Sequence, residues 1–321
     1  MNAAPQLIGS AGDSLREAFG RALRDLAGEF DTMVVLDADI AGGTGVHHFR
    51  AAEPERFFQF GIAEQNMMAA AGGMAAVGLI PVVTGFAVFC LRALEQARLS
   101  IAYARRNVKI VASHPGIDVG PDGGSAQCLE DLAAFRAIPN MTVLSPADPR
   151  EVALATRAML EFDGPVYMRT GRSPAPRVVS EAHEFIIGKA CVLRPGGDVT
   201  IIACGVEVAR ALAAAEQLAG EGVDARVVNM ATLKPIDEEM IAACARQTGA
   251  IVTAEDHSIH GGLGGAVAEV LVRTAPCPME MIAMCDFGQS GEPDELAQHF
   301  GLDAAGIARA VRRVVARKKQ G

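Results

Sequence analysis

Residues 67 to 91 contain no charged side chain, a run of 25 positions. That exceeds the roughly 20 apolar residues needed to cross a bilayer, so the run belongs either in a membrane or in the interior of a sizeable core. Its composition favours the core. Gly72, Gly73, Gly78, Pro81 and Gly85 interrupt it, and most of the remainder is alanine rather than leucine. The pattern predicts a helix, a turn at Gly78, a buried strand over 79–84 and a loop. Small residues on such a helix allow close helix packing, which suits a buried subunit interface. At the mouth of the run stands Glu64, the only acidic residue between positions 57 and 91. A carboxylate in so apolar a setting can hold or share a proton near neutral pH. The alternative reading of Glu64 is a helix-start carboxylate favoured by the macrodipole.

With 321 residues, 50% hydrophobic and 21% charged, the chain has room for two domains. A net charge of −9, with no basic cluster outside the terminal stretch from Arg312 to Lys319, argues against nucleic acid, because phosphate neutralisation needs a basic face. The seven cysteines form no Cys-x-x-Cys pair and are scattered through apolar stretches, as expected of reduced cysteines in a cytoplasmic protein. Met1 to Ser14 lacks the basic segment and apolar core of a signal peptide.

Asp13 and Ser14 are candidate caps of a helix with Leu15, Phe19, Leu23 and Leu26 at helical spacing. Strands are predicted at 33–36, 79–84, 108–112, 141–144 and 165–168, alternating with helices at 91–104, 129–137 and 148–161. Residues 171 to 187, with Pro174 and Pro176, read as an extended linker. A second alternation follows, with strands at 199–203, 226–229, 251–254 and 279–283 and a helix from 304 to about 317. The fold class is therefore α/β, as two three-layer α/β domains spanning residues 1–187 and 188–321. The glycine run Gly261 to Gly265 departs from a nucleotide-loop spacing and reads as a helix start, while His257 and His260 read as local capping groups rather than a metal pair.

Three loops after predicted strand ends carry polar groups suited to an anionic substrate: Ser113-His114, Gly120 to Gly124 with Asp122, and Arg169 to Arg172. Taken singly, each is equally a loop histidine, a turn aspartate or a surface arginine. Together with Gly61-Ile62-Ala63-Glu64-Gln65-Asn66, their order resembles the thiamine-diphosphate enzymes of the transketolase family, over about residues 14 to 316. In the second half the resemblance rests mainly on Glu255-Asp256-His257 and the glycine run. The resemblance implies that Glu64 bonds a ring nitrogen of the cofactor and so promotes loss of the thiazolium proton. It further implies that Phe86 and Phe89 pack on the pyrimidine ring, that Asp39 and Ile40 border the cofactor, and that His114, Asp122, Arg172, Arg16 and Thr44 face the substrate, with His114 catalytic.

Two departures from the family pattern shape the expectation. The Gly-Asp-Gly motif that holds magnesium and the diphosphate is missing, so the resemblance implies the C-terminal subunit of a split transketolase. Such a subunit shares thiamine diphosphate with an N-terminal partner that holds Mg2+, in an α2β2 heterotetramer with a β–β dimer. Ala126 stands where the family usually has histidine or glutamine, which alters substrate choice unless Gln127 compensates. The reaction implied is transfer of a two-carbon ketol unit from a ketose, expected to be phosphorylated, to an aldehyde. The rivals are a 2-oxoacid dehydrogenase β-type or deoxyxylulose-phosphate-synthase-like carboligase subunit and, in another class, a non-catalytic scaffold.

Overall fold

The computed structural model describes residues 12–318; the reading of the N-terminal segment falls mostly outside them, as does Lys319. The first half supplies strands β1 (Met33–Asp37), β2 (Phe57–Gln59), β3 (Ile80–Phe86), β4 (Lys109–Ser113), β5 (Thr142–Leu144) and β6 (Val166–Thr170). The second supplies β7 (Cys191–Arg194), β8 (Val199–Ala203), β9 (Ala225–Asn229), β10 (Thr232–Lys234), β11 (Ile251–Ser258) and β12 (Met279–Met284). Two sheets result, in the orders β10-β5-β6-β4-β3-β1-β2 and β12-β11-β8-β9-β7. Among the described residues, all pairings of these strands are parallel except β10 with β5 and β7 with β9.

The central strands, such as β1, β4, β6 and β8, are buried on both faces, and their alternation sorts side chains into layers. Met33, Val35, Val82 and Val111 pack with the helices Leu15–Leu26 and Pro149–Glu161. Val34, Leu36, Val83 and Ile110 pack on the other face, where helix Glu64–Ala76 lies. That second layer runs without a break into Ile202, Val228 and Ile251 of the other sheet, so the two sheets share one core. The second sheet's remaining face is covered by helices Glu207–Ala219 and Ala304–Lys318.

The uncharged run folds as helix, turn at Gly78 (φ +93°) and strand, and no helix among the described residues is long and apolar enough to cross a membrane. Its close packing is internal on one side: a Cβ at Gly72 would lie 2.7 Å from the Ser100 carbonyl oxygen. The predicted helix 91–104 is instead segmented, from short helical turns at Ala87–Cys90 and Leu94–Gln96 to a π-helical stretch at Ala97–Tyr103. Ala93, Ala97, Ile101 and Ala102 are all fully buried, and the wider winding brings neighbouring residues onto the same covered face. Ser14 does precede the first helix, but its hydroxyl makes no capping bond. Strands β2, β7 and β10 give no sequence signal; they are three or four residues long at sheet edges, too short for periodicity to register.

Residues 171–187 form no helix or strand and are tied down by carboxylates. Asp148 caps helix Pro149–Glu161 through Glu151 N–H (2.8 Å) and, with its other oxygen, accepts from Val178 and Val179 N–H (2.6 and 2.8 Å). The two halves meet across a buried ion pair. Asp131 accepts Nε and Nη2 of Arg169 at 2.7 and 2.8 Å and the Tyr167 hydroxyl at 2.5 Å, while Arg169 Nη1 donates to the Asp256 carbonyl of β11. All seven cysteines are free.

Asp131→Asn strands the Arg169 cation in the interior and should cost about 3–5 kcal/mol. The paired change Asp131→Leu with Arg169→Met should cost clearly less. Denaturant midpoints at matched protein concentration check this ordering; a single variant no weaker than the double one contradicts it.

Candidate active site

Parallel strands of a covered sheet present ligand groups at their carboxyl ends, and the predicted residues gather there. The first group follows β1. Buried Asp37 accepts Ile40 N–H (3.0 Å) and the Gln59 amide (2.8 Å) through Oδ2, while its Oδ1 has no partner among the described residues. Gln59 Oε1 in turn accepts the N–H groups of Asp39 and Gly61, both at 2.8 Å. One amide side chain thus fixes the Asp39-Ile40 turn, where Asp39 has φ +63° and is exposed, against the segment leading to Glu64. Thr44 is buried, its hydroxyl directed to the carbonyls of Ile40 and Ala41.

Glu64 opens its helix and is 4% exposed. Arg92 Nη1 reaches its Oε2 at 3.1 Å; Oε1 makes no hydrogen bond among the described residues. The Arg92 guanidinium also lies 6.0 Å from the centre of the Phe89 ring. Phe89 stacks with Phe86 at 5.7 Å, and Phe86 with His114 at 3.7 Å. The chain of contacts therefore runs from Glu64 through two phenylalanines to the histidine. Arg92 is missed by sequence reasoning, because an arginine 28 positions from the glutamate carries no signal.

His114 follows β4 directly, in the left-handed region (φ +57°), and is buried. Burial first, and then the charges of Arg16 and Arg172, push its pKa down to about 3, so the ring is neutral at ordinary pH. Ser113 Oγ donates to the Gly43 carbonyl (3.2 Å) and lies 3.0 Å from His114 Nδ1. With its one proton used at Gly43, the hydroxyl accepts from Nδ1–H, which leaves Nε2 as a bare acceptor. Gly43 also receives Arg16 Nη1 at 3.1 Å, and a Cβ there would meet the Phe86 ring at 2.7 Å.

Arg16 and Arg172 line a cleft of about 890 Å3 between the two sheets, together with Arg210. Arg172 is held by Asp118, whose carboxylate accepts its N–H (3.0 Å), and by the Val119 carbonyl (2.8 Å). The second sheet grips the same loop: Asp256 accepts Ile117 and Asp118 N–H at 2.8 and 3.0 Å. Glu255 accepts the first N–H groups of helix Leu263–Thr274, while His257 bonds locally to the Ser258 carbonyl and, across the chain, accepts Ala133 N–H of helix Asp131–Ala137 in the first half. The stretch Glu255-Asp256-His257 therefore pins loop and helix, a role its sequence alone does not reveal.

Asp122 is exposed and its side chain bonds to nothing among the described residues. Ala126 is half-buried on the same loop. Gln127 turns toward the second sheet, donating to the carbonyls of Gly120 (3.3 Å) and Gln289 (2.9 Å), and a Cβ at Gly288 would overlap its Oε1. In this conformation its amide group does not occupy the space beside Ala126.

Residues 12–177 match the family described as transketolase, pyrimidine binding domain, and residues 188–307 match transketolase, C-terminal domain. A 6-deoxy-6-sulfo-D-fructose transketolase subunit from Clostridium sp. (strain MSTE9) is 45% identical over 306 residues, covering 95% of each chain. A putative transketolase C-terminal section from Methanocaldococcus jannaschii is also 45% identical, over 92% of this chain and 95% of its own length. The human transketolase is 37% identical over 94% of this chain but only 49% of its own length. Among solved structures, a split gene transketolase described as an inactive beta4 tetramer superposes with a TM-score of 0.88 at 46% identity, covering 96% of this chain and 99% of that one. The chain belongs to the transketolase family, as the subunit that carries the pyrimidine-binding and C-terminal domains of a split, thiamine-diphosphate-dependent transketolase.

Proposed function

We propose that the protein, joined to an N-terminal partner that holds Mg2+ and the cofactor diphosphate, moves a two-carbon ketol unit from a ketose with an anionic terminal group to an aldehyde acceptor. The observation that carries this reading is the run of contacts from Glu64 through Arg92, Phe89 and Phe86 to His114, next to the Gly43 carbonyl that Ser113 and Arg16 share, with Arg16 and Arg172 lining one cleft. A buried carboxylate with one uncommitted oxygen beside stacked rings fits an aminopyrimidine. Thiamine diphosphate, when bound, supplies the carbon nucleophile that stores the two-carbon unit.

The chain's own residues divide the remaining work. Arg92 fixes Glu64 Oε2, which leaves Oε1 to bond the cofactor's aminopyrimidine ring. Asp39 and Ile40 border the cofactor, set by Gln59. His114 Nε2 accepts a hydrogen bond from a substrate hydroxyl, and Arg16 and Arg172 pair with the terminal anion. Thr44 and Asp122 complete the substrate side, Thr44 from behind the Gly43 wall and Asp122 from the solvent edge of the loop. Gln127 contributes to substrate only by releasing the Gly120 and Gln289 carbonyls.

We divide the chain at 187/188, supported by the gap between the two family matches. We assign it to the cytoplasm, consistent with seven free cysteines. We also assign an α2β2 assembly with a β–β dimer. Its support is the apolar surface around helix Glu64–Ala76, where Ile62, Val77 and Tyr103 are 78, 79 and 77% exposed.

Two relatives are named for unusual sugars. One is the 6-deoxy-6-sulfo-D-fructose protein; the other, from Phocaeicola vulgatus and 36% identical, is named as part of an apulose-4-phosphate transketolase. This supports an atypical ketose here, as does Ala126, which offers no donor to a substrate hydroxyl.

In the enzyme assembled with its N-terminal partner, Glu64→Gln should lower turnover by roughly 100-fold or more with little effect on folding. Proton exchange at the cofactor's reactive carbon should slow with it, and exchange at the parent rate would remove Glu64 from this role. Arg172→Ala should raise KM roughly tenfold or more for anionic ketoses and much less for uncharged ones; equal losses would mark a structural arginine. Turnover of xylulose 5-phosphate with ribose 5-phosphate should be weak in the parent and improve in Ala126→His. Efficient parent activity unimproved by the histidine would reject altered specificity at this position.

A further inference from the structure

We propose that Glu17, His47 and His48 form a binding site for a late first-row divalent cation of the zinc class, on the outer side of the wall that carries Arg16 and Gly43. Glu17 lies on helix Leu15–Leu26, and the histidines open the helix His47–Ala52. One donor atom from each residue falls within 4.8 Å of the others. His48 Nε2 is 2.8 Å from Glu17 Oε2, the two imidazoles face each other with centres 4.1 Å apart, and His47 Nδ1 is shielded from solvent with no partner among the described residues. An ordinary histidine–glutamate pair accounts for His48 and Glu17. It does not account for a second imidazole with an unpaired nitrogen packed against the first.

The backbone holds these donors in place before any ion arrives. A Cβ at Gly20 would fall 1.9 Å from the Gly45 carbonyl oxygen, and one at Gly45, where φ is +79°, would fall 2.1 Å from the Arg16 carbonyl oxygen. The two backbones therefore touch on both sides of Glu17, and the histidines follow Gly45 by two and three residues. Zinc bonds nitrogen and carboxylate oxygen at about 2.0–2.2 Å, so tetrahedral donors sit roughly 3.4 Å apart. Donors within 4.8 Å of one another must therefore close by up to about 1.4 Å to reach that spacing. Two imidazoles with one carboxylate suit zinc, nickel or copper, whereas magnesium prefers an octahedron of oxygens. Three protein donors leave a coordination position open to water or another small ligand. His48 and Glu17 side chains are 26 and 27% exposed, so an ion can enter from solution.

The test uses the full chain without a histidine tag, in a Cys285→Ser background because that thiol is exposed. Calorimetric titration with zinc chloride should give one ion per chain, and magnesium chloride should give no binding. His47→Ala, His48→Ala and Glu17→Gln should each weaken zinc at least about tenfold. Cobalt substitution should give visible bands of a four-coordinate site, lost in the same variants. Thermal unfolding confirms that each variant is folded; His48→Asn replaces His48→Ala if the latter is not. Absence of zinc binding, or unchanged affinity in any one folded variant, overturns the site.

Discussion

Asp256 sits on the second sheet, yet its carboxylate holds the loop that follows β4 of the first sheet by two main-chain N–H groups. A Cβ at Gly116 would collide with that carboxylate, so the loop approaches it as closely as a backbone can. Such charge can be buried because every partner is supplied: Asp256's own carbonyl receives Arg169, and Arg169 is neutralised by Asp131. Remove this seam and the loop carrying Asp118, and with it Arg172, loses its anchor. The C-terminal half is thus part of the candidate site's construction even though the candidate side chains come chiefly from the first half.

The same logic explains how His114 works. Its ring is stacked on Phe86 and backed by Ser113, and burial, with the charges of Arg16 and Arg172, keeps it neutral with Nε2 as a bare acceptor. Burial and the arginine charges suppress protonation of the ring, so Nε2 can accept a hydrogen bond even where an anion is held nearby. Positive φ at His114 is a strained conformation for a non-glycine residue, and it occurs where the strand hands over to the loop gripped by Asp256.

Much was legible in the sequence because it rests on local physics. Runs of apolar residues between breakers marked nine strands to within a few positions, and the glycines of the uncharged stretch separated a core helix and strand from a membrane span. Glu64, Phe86, Phe89, His114 and Arg172 came from the resemblance to the transketolase family, because the motifs around them are local stretches of sequence. The segmented helix around 87–103 was not legible: its winding is set by which residues the core covers, and alanine is compatible with α or π turns alike.

The sequence by itself determined the two-layered alternation, the location of Glu64 beside an apolar run and the absence of a histidine at Ala126, all properties of neighbouring residues. Only the tertiary structure decided that Arg92 meets Glu64, that Gln59 ties the Asp39 turn to Gly61, that β10 crosses to the first sheet, and that Gln127 faces Gln289 rather than the space beside Ala126. The reason is physical. Hydrogen bonds and ion pairs between residues far apart along the chain depend on how its segments pack, and spacing along the chain does not encode that packing.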